Sequence, residues 1–297
     1  MKKIFAIMML AATVAACTVE DMKEQPVEPQ FYTMTVKASK GVDTKALSLS
    51  GNTLNATWAG GETVTVKEGD TPLGALTAYV DPEDNTKATL KGNLNTAPSA
   101  SGVELTLEFN SATYGGQDGT LGYIAQNSDY AKATTTITVE GNTITGTAAT
   151  FENQNAIAKF TLNDKVTSNV IRPSKLVVSI STNDMALQYL LTQYGATLPT
   201  YTFTNLSDAY SINGGDMLYF AMPTMLTVAE KIGIPTSVAA MFANYANYVS
   251  LNLTATVGSE TYIYTRSGYP FEAGKYYDIT VNMTKQYRSM DKAIAVH

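Results

Sequence analysis

The sequence predicts a mainly all-β fold of sandwiches or barrels, with short helices toward its C-terminal end. Apolar and polar residues alternate over many short stretches, as they do in strands with one wet face. Glycine, asparagine and proline separate these stretches, and the 297 residues include 18 tyrosines, which favour pleated surfaces. A chain of this length is sufficient for two domains of ordinary size.

The first element is a secretory signal at residues 1–16. Lys2 and Lys3 precede an apolar run and a small-residue exit, and the run is shorter than the about 20 residues that a membrane-spanning helix needs. Its ending, Val-Ala-Ala-Cys, resembles the bacterial lipobox. That resemblance implies cleavage between Ala16 and Cys17 and lipidation of Cys17; the alternative is an ordinary signal peptide that contains a cysteine.

A polar tether at residues 17–30 follows the signal. It is rich in proline and charge and cannot bury enough apolar area to fold. Cys17 is the sole cysteine, so an intrachain disulfide cannot form and a thiol enzyme is excluded once Cys17 is acylated. Because several acyl chains anchor a protein stably, the precursor is expected to be tethered to a membrane.

The folded part is expected from Phe31 onward. Residues 103–109 alternate without a break and predict a strand. Residues 136–145 predict a hairpin that closes on Gly141-Asn142, because these residue types accept positive φ. Residues 251–264 predict a second hairpin of the same kind.

Two stretches have helical rather than strand spacing. These are residues 183–194 and residues 227–248, and Pro235 should end, kink or restart a helix in the second stretch. A change of domain is expected near residues 147–151, since strand-like sequence resumes at Ala156.

The residues of the chain do not suggest catalysis. The single histidine is His297, the last residue, so serine–histidine, cysteine–histidine and histidine–metal sites lack a base or ligand. No catalytic residue, metal site or cofactor is predicted, and the protein is expected not to be an enzyme. Trp58 is expected in the core. The net charge of −6 argues against nucleic acid as a partner.

Four segments together resemble the fimbrillins, which are pilin-like surface lipoproteins of Gram-negative anaerobes. Residues 57–66 contain Trp58, two glycines and Glu62 before a strand, and residues 151–162 are similar to the opening strand of the family's second domain. Residues 218–223 are an aromatic strand ending in proline, and residues 271–281 contain the closing Gly-Lys-Tyr-Tyr. With the lipobox, these segments extend over nearly the whole chain in the family's order.

The resemblance implies two tandem transthyretin-like β-sandwich domains, at residues 31–149 and 150–297, with short helical insertions in the second domain and a C-terminal tail at residues 286–297. It also implies a structural subunit of a fimbria or pilus that serves adhesion. The lipid-anchored precursor would be exposed on the cell outer membrane, and the processed protein would enter the fimbrium.

The resemblance further implies assembly by donor-strand exchange. In the family, a trypsin-like protease removes the N-terminal segment and opens a groove, which a strand from another subunit fills. The family's cleavage site is often an arginine, but no arginine precedes Arg172, so Lys45 and then Lys40 are the candidate cleavage sites. The candidate donor is the tail, with possible groove residues at five positions: Met290, Ala293, Ile294, Ala295 and Val296.

Two alternatives stay open at this point. Without cleavage, the protein would be a lipid-retained pilus anchor. It could also be a monomeric surface lipoprotein that binds a glycan or a host protein, through exposed aromatics such as Tyr114, Tyr123 and Tyr130. The sequence does not distinguish a shaft, anchor or tip subunit.

Overall fold

The computed structural model describes residues 31–40, 48–50, 53–55, 57–110 and 113–287, with backbone only for 48–50 and 53–55. The signal, Cys17, Lys45 and the five candidate donor residues lie outside these ranges. Across the part of the chain that is described, no helix is long and apolar enough to cross a membrane.

The first half of the chain forms an eight-stranded sheet and a separate two-stranded one. Its elements are β1 (Tyr32–Lys40), β2 (Ser48–Ser50), β3 (Thr53–Asn55), β4 (Thr63–Glu68), β5 (Thr71–Val80), β6 (Lys87–Leu94), β7 (Glu104–Phe109), α1 (Leu121–Asn127), β8 (Ala131–Glu140), β9 (Thr143–Gly146) and β10 (Ala149–Asn153). The strand order is β10-β1-β6-β5-β4-β7-β8-β9, and β2 pairs with β3.

The eight-stranded sheet closes on itself. β8 pairs with β10 as well as with β9, and β1 pairs with β9 as well as with β10. The pairs that β1 makes with β9 and β10 are parallel, and its pair with β6 is antiparallel. The result is a barrel-like sandwich around one core.

The second half forms a seven-stranded sheet with helices between its strands. Its elements are β11 (Asn155–Asp164), β12 (Lys175–Thr182), α2 (Met185–Gln193), β13 (Thr200–Thr204), α3 (Ser207–Ile212), β14 (Leu218–Pro223), α4 (Met225–Lys231), α5 (Thr236–Ala243), a 3-10 helix (Asn244–Tyr248), β15 (Val249–Val257), β16 (Glu260–Ser267) and β17 (Tyr276–Gln286). The strand order is β13-β12-β15-β16-β17-β11-β14.

Each sheet encloses its own hydrophobic core. In the first, Trp58 packs edge-on against Phe109 and Phe151. In the second, the rings of Phe203 and Phe220 stack with centroids 4.1 Å apart. Each fully buried side chain of this size contributes about 1.5–3 kcal/mol relative to exposure, so the cores account for much of the stability.

The mainly β fold class with short helical insertions is confirmed. Both predicted hairpins form, and their turn glycines Gly141 and Gly258 have φ of 60° and 58°. The helices at α2, α4 and α5 are also confirmed, and Pro235 immediately precedes α5. The helices α1 and α3 were not predicted. The chain passes between the sheets at Gln154, and the domain boundaries stay a prediction.

Candidate functional site

The strand β1 occupies a closing position in the first sheet. It pairs with β6 in register from Tyr32 opposite Leu94 to Ser39 opposite Lys87, and with β9 and β10 on its other side. The order of the remaining strands stays continuous from β6 to β8 without it. We call the space that β1 fills between β6 and the pair β9 and β10 the β1 groove.

Alternate side chains of β1 point into the core that the first sheet encloses. Met34, Val36, Ala38 and Lys40 are buried, whereas Thr33, Lys37 and their neighbours on the other parity are exposed or half-buried. This follows from the two-residue period of a strand. Three apolar side chains and one lysine therefore fix β1 in place.

A glycine on β9 makes room for β1. A Cβ added at Gly146 would lie 2.7 Å from Val36 Cγ2 and 2.5 Å from Thr135 Oγ1. Gly92 on β6, opposite Met34, makes room for β5 instead, because a Cβ there would overlap the backbone oxygen of Ala75. The groove is thus fitted closely to β1 at the Val36 side chain.

Lys40 ends β1 inside a cage that we define by Thr57, Trp58, Glu62 and Phe109. Its Nζ donates to Glu62 Oε2 at 3.0 Å and to the Thr57 carbonyl oxygen at 3.0 Å. The same Nζ lies 4.1 Å from the centroid of the Trp58 ring and 4.4 Å from that of Phe109. The Lys40 side chain is 0% exposed, so the ammonium exchanges water for a carboxylate, a carbonyl and two aromatic faces.

The walls of this Lys40 cage are held by segments other than β1. Trp58 donates its backbone N–H to the Asn85 carbonyl at 2.7 Å, and its ring lies 5.2 Å from that of Phe151. Glu62 Oε2 accepts the backbone N–H of Ala59 at 3.0 Å across a turn in which Gly61 has φ of 85°. Segments other than β1 thus supply these contacts to the walls of the Lys40 cage.

Of the predicted site residues, some lie in the part of the chain that the structure describes and others lie outside it. Lys40 is buried at the end of β1, so a protease could reach it only after that end opened. Lys45, Ala16, Cys17 and the five donor residues are outside the described ranges. Trp58 lies in the core, as predicted.

The idea of an exposed tyrosine platform is wrong for two of its three members. Tyr114 and Tyr130 are buried, and Tyr123 is half-buried. Tyr114 donates its hydroxyl to Asn155 Oδ1 and packs 5.6 Å from the ring of Tyr201. Burial raises the pKa of the Tyr114 and Tyr130 hydroxyls, which therefore stay protonated donors.

A polar cluster that sequence reasoning missed joins the two halves. The Tyr130 hydroxyl donates to Glu108 Oε1 at 2.9 Å and is 3.3 Å from Glu230 Oε2. Lys132 Nζ lies 2.7 Å from Glu230 Oε1, and Lys67 pairs with Glu108. The cluster lines a depression of about 440 Å³.

The electrostatics of this cluster favour the charged carboxylate. Burial acts to raise the pKa of Glu108, but hydrogen bonds from Lys67 and Tyr130 and the charges of Lys67 and Lys132 outweigh it, and the pKa is lowered. In the described ranges, no group of three or more His, Cys, Asp or Glu side chains could hold a metal ion.

The segment 113–120 covers the outer strand β14 of the second sheet and contacts the other outer strand, β13. Tyr219 of β14 donates its N–H to the Gly119 carbonyl at 2.8 Å. The Gln117 side chain accepts from Ala221 N at 2.7 Å and donates to Ala221 O at 2.9 Å. On the far edge, Gly116 N donates to the carbonyl of Thr202 in β13 at 3.3 Å. Backbone groups that strand addition would need are thus engaged on both edges.

The molecule thus combines two β cores, one closed by its first described strand and one whose edge strand β14 is covered by the segment 113–120. No family model and no curated protein matches this chain. Among solved structures, it is similar to a candidate cell adhesion protein from Bacteroides ovatus, with 12% identity, 87% of this chain and 96% of that chain covered and a TM-score of 0.39.

Two further solved structures are similar, also at low sequence identity. One is a candidate cell adhesion protein from Bacteroides fragilis, with 13% identity, coverage of 86% and 98% and a TM-score of 0.36. The other is a shaft pilin from Lactobacillus rhamnosus, with 10% identity, coverage of 87% and 99% and a TM-score of 0.28. Likenesses this distant carry no conclusion about activity or partners.

Proposed function

We propose that this protein is a structural subunit of a fimbria, exported as a lipoprotein precursor and assembled by strand exchange after N-terminal proteolysis. The precursor would be cleaved between Ala16 and Cys17, lipidated at Cys17 and exposed on the outer membrane. Its partners would be other subunits of the same kind, and the assembled fibre would serve adhesion.

The position of β1 is the single observation that supports this proposal most. It precedes all other described strands in the chain, yet its partners β9 and β10 come from the end of the first half. A cut between β1 and β2 would free β1 without interrupting any other described strand. An empty groove with unpaired backbone groups on both sides would then bind another extended strand.

The site of the proposed cut is Lys45. Lys40 is the less favourable target, because its Nζ is engaged in the Lys40 cage and its side chain is 0% exposed. Proteases require a segment that can be extended in their active site, and the end of a paired strand resists this. Cleavage after Lys45 would leave β1 complete as a leaving strand.

The proposed incoming strand is the tail at residues 286–297 of another copy, with Met290, Ala293, Ile294, Ala295 and Val296 as candidate groove residues. β17 ends at Gln286, at the start of this tail. In the groove, Met34 and Val36 are the most deeply buried apolar side chains of β1, at 0% and 1% exposure, and a donor must supply apolar replacements for them.

Controlled proteolysis tests this function. The secreted protein carrying Cys17→Ala would be treated with limiting trypsin, and mass spectrometry would identify the new N-terminus. We expect a fragment ending at Lys45 to leave and oligomers to form on gel filtration. The matched variant Lys45→Gln should stay intact and monomeric under the same conditions. Trimmed protein that remains monomeric at every concentration would refute the shaft role.

The burial of Lys40 favours a second candidate, a lipid-retained pilus anchor. If the segment around Lys45 were not cut in the cell, the Lys40 cage would hold β1 in its groove permanently. Mass spectrometry of the cell-surface form separates the two: an acylated Cys17 at the N-terminus indicates an anchor, and an N-terminus at Ala46 indicates a processed subunit.

A further inference from the structure

The outer face of the first sheet carries a basic depression across β1, β6 and β5. We call it the Tyr79 patch and define it by Lys37, Tyr79, Lys87, Thr89 and Lys91. The depression has a volume of about 620 Å³. Tyr79 is 59% exposed, and among the described residues that line the depression it alone is aromatic. An accessible ring and three lysines therefore share one surface, on the side of the sheet away from its core.

The strand register brings these side chains together. Thr89 of β6 is opposite Lys37 of β1 on one side and opposite Tyr79 of β5 on the other. Lys87 and Lys91 lie two residues before and after Thr89, so the two-residue period places them on the same face. Because neighbouring strands are about 4.8 Å apart, the backbone positions of Lys37 and Tyr79 are separated by about 10 Å.

Two of the three lysines have no counter-charge. Lys87 Nζ lies 2.8 Å from Asp84 Oδ2. Lys37 and Lys91 form no ion pair with any residue that the structure describes, and Lys91 Nζ lies 5.8 Å from the centroid of the Tyr79 ring. These two ammonium groups attract a negative group between them. The attraction is local, because the whole chain has a net charge of −6.

An exposed tyrosine beside two such ammonium groups suits a sugar that carries an acidic group. The C–H groups of a sugar ring pack against the negative face of an aromatic ring, and a carboxylate or sulfate accepts charge-assisted hydrogen bonds from lysine. The half-buried Thr89 between them offers a hydroxyl to the sugar. A single-stranded nucleic acid would need several rings along a basic groove, and an apolar partner would bury the lysines at a cost.

We propose that the Tyr79 patch binds an acidic polysaccharide, with a sugar ring on Tyr79 and its carboxylate or sulfate between Lys37 and Lys91. The inference gives the proposed adhesion a ligand class and rests on the proposed function only in that respect. Tyr79 and Lys91 belong to β5 and β6, and Lys37 belongs to β1. The patch is therefore complete in the uncut chain, and binding does not require strand exchange.

Binding to the complete, uncut chain tests this site. The protein carrying Cys17→Ala would be titrated into fluorescent chondroitin sulfate, and the anisotropy would be followed. We expect saturable binding. Three other probes should bind at least about tenfold more weakly: dextran, which is uncharged, poly-glutamate, which has no sugar rings, and single-stranded oligothymidylate.

The role of the ring is tested at Tyr79. Tyr79→Ala should weaken binding at least about tenfold, whereas Tyr79→Phe keeps the ring and should stay within about threefold of the parent protein. Tyr287→Ala is the matched control, because Tyr287 is 61% exposed and Lys285 Nζ lies 5.8 Å from the centroid of its ring. It should leave the affinity unchanged.

The role of the charges is tested at the two lysines without a counter-charge. Lys37→Gln/Lys91→Gln should weaken binding at least about tenfold, because the acidic group loses both donors. Lys165→Gln/Lys175→Gln removes the same charge from two exposed positions in the second half of the chain and should leave the affinity unchanged.

The outcomes separate this site from the proposed function. If chondroitin sulfate does not bind, or if the patch variants behave like their controls, the Tyr79 patch is refuted as a binding site. If poly-glutamate or oligothymidylate binds as tightly as chondroitin sulfate, an acidic polysaccharide is refuted as the ligand. None of these results bears on strand exchange, which the proteolysis experiment tests, and trimmed protein that stays monomeric would leave glycan binding by the uncut chain intact.

Discussion

Lys40 shows how far a single residue can be interpreted from sequence. From the sequence alone, Lys40 is a candidate cleavage site for a trypsin-like protease. Its parity with Met34, Val36 and Ala38 would have placed it on the buried face of β1, and that signal was available. The positions of the Trp58 and Phe109 rings could not be predicted, because they depend on contacts between distant parts of the chain.

Removing the Lys40 ammonium should destabilise the first half of the molecule. We expect Lys40→Met to lower the free energy of unfolding by about 3 kcal/mol, because it removes the buried ammonium that lies 3.0 Å from Glu62 Oε2 and over the rings of Trp58 and Phe109. The double variant Lys40→Met/Glu62→Gln should recover part of that loss. Urea unfolding followed by the emission of Trp58, the sole tryptophan, measures both. Equal stability of wild type and Lys40→Met would contradict this account.

Gly92 is expected to be intolerant of even one methyl group. A Cβ there would overlap the Ala75 carbonyl oxygen and lie 3.1 Å from Leu76 Cα, and both are backbone atoms that cannot rotate away. Gly92→Ala should therefore cost about 1–3 kcal/mol, the usual range for overpacking. Gly60→Ala is the control, since nothing lies within 4 Å of its added Cβ. Thermal unfolding of both variants checks the difference.

At the scale of elements, segment 113–120 protects the second sheet from unwanted pairing. Gln117 is 0% exposed and imitates a strand by pairing both its amide atoms with Ala221 of β14. An uncovered edge strand is a template for aggregation. If the first sheet exchanges a strand, the covered edge at β14 disfavours a competing exchange there.

Replacing Gln117 should expose this edge. We expect Gln117→Ala to accelerate amide hydrogen exchange at Ala221 and Tyr219 at least tenfold, because their N–H groups lose ordered acceptors or the segment that supplies them. Gln126→Ala, at an exposed position of α1, should leave exchange in β14 unchanged. Exchange mass spectrometry on peptides spanning 218–223 tests both. Protection equal to wild type in Gln117→Ala would argue against edge covering.

Elements with a strong local period were predictable. The strand at residues 103–109, both hairpins and the helix at α2 follow from patterns within their own segments. The helices α1 and α3 have 7 and 6 residues, which is about two turns, too short for a helical period to stand out. α1 is fixed by its Thr120 cap and by packing of Ile124 on β14, and the latter depends on the tertiary fold.

The candidate site was predictable only in outline. The place of Trp58 and Glu62 before a strand was visible in the sequence. The closure of the first sheet was not, because β1 pairs with Thr143 to Thr145 and with Ala149 to Phe151, more than a hundred residues away. Pairings of that separation leave no mark in a local pattern.

At the scale of the whole molecule, polar contacts join the two halves beside the apolar packing of Ile124 on β14. Lys132 pairs with Glu230, Tyr130 lies between Glu108 and Glu230, and Thr236 Oγ1 donates to Asp70 Oδ1 at 2.8 Å. Contacts of this kind are weaker than a hydrophobic core and depend on protonation. The stability of the joined molecule should therefore respond to pH through this cluster.

The sign of that response follows from Glu108. Its pKa in the folded protein is below its usual value of 4.5, so the stabilisation is complete above that value and is lost as the pH falls through the folded pKa. Lowering the pH from 7 to 3 should thus decrease the free energy of unfolding. The Glu108→Gln side chain cannot ionise, so the free energy of unfolding of this variant should decrease less over the same interval. The variant should already be less stable than the wild type at pH 7, because Lys67 has lost its carboxylate partner.

Urea titrations at a series of pH values measure this difference. Other carboxyls with a lowered pKa add to the pH dependence of the wild type. Asp84 is one of them, because hydrogen bonds from Lys87 and Thr86 lower its pKa to about 2. Only the comparison with the variant therefore isolates Glu108. Glu104→Gln, at an exposed position of the same strand β7, should keep the full wild-type slope. If the Glu108→Gln and Glu104→Gln slopes coincide, the cluster does not couple protonation to the joining of the two cores.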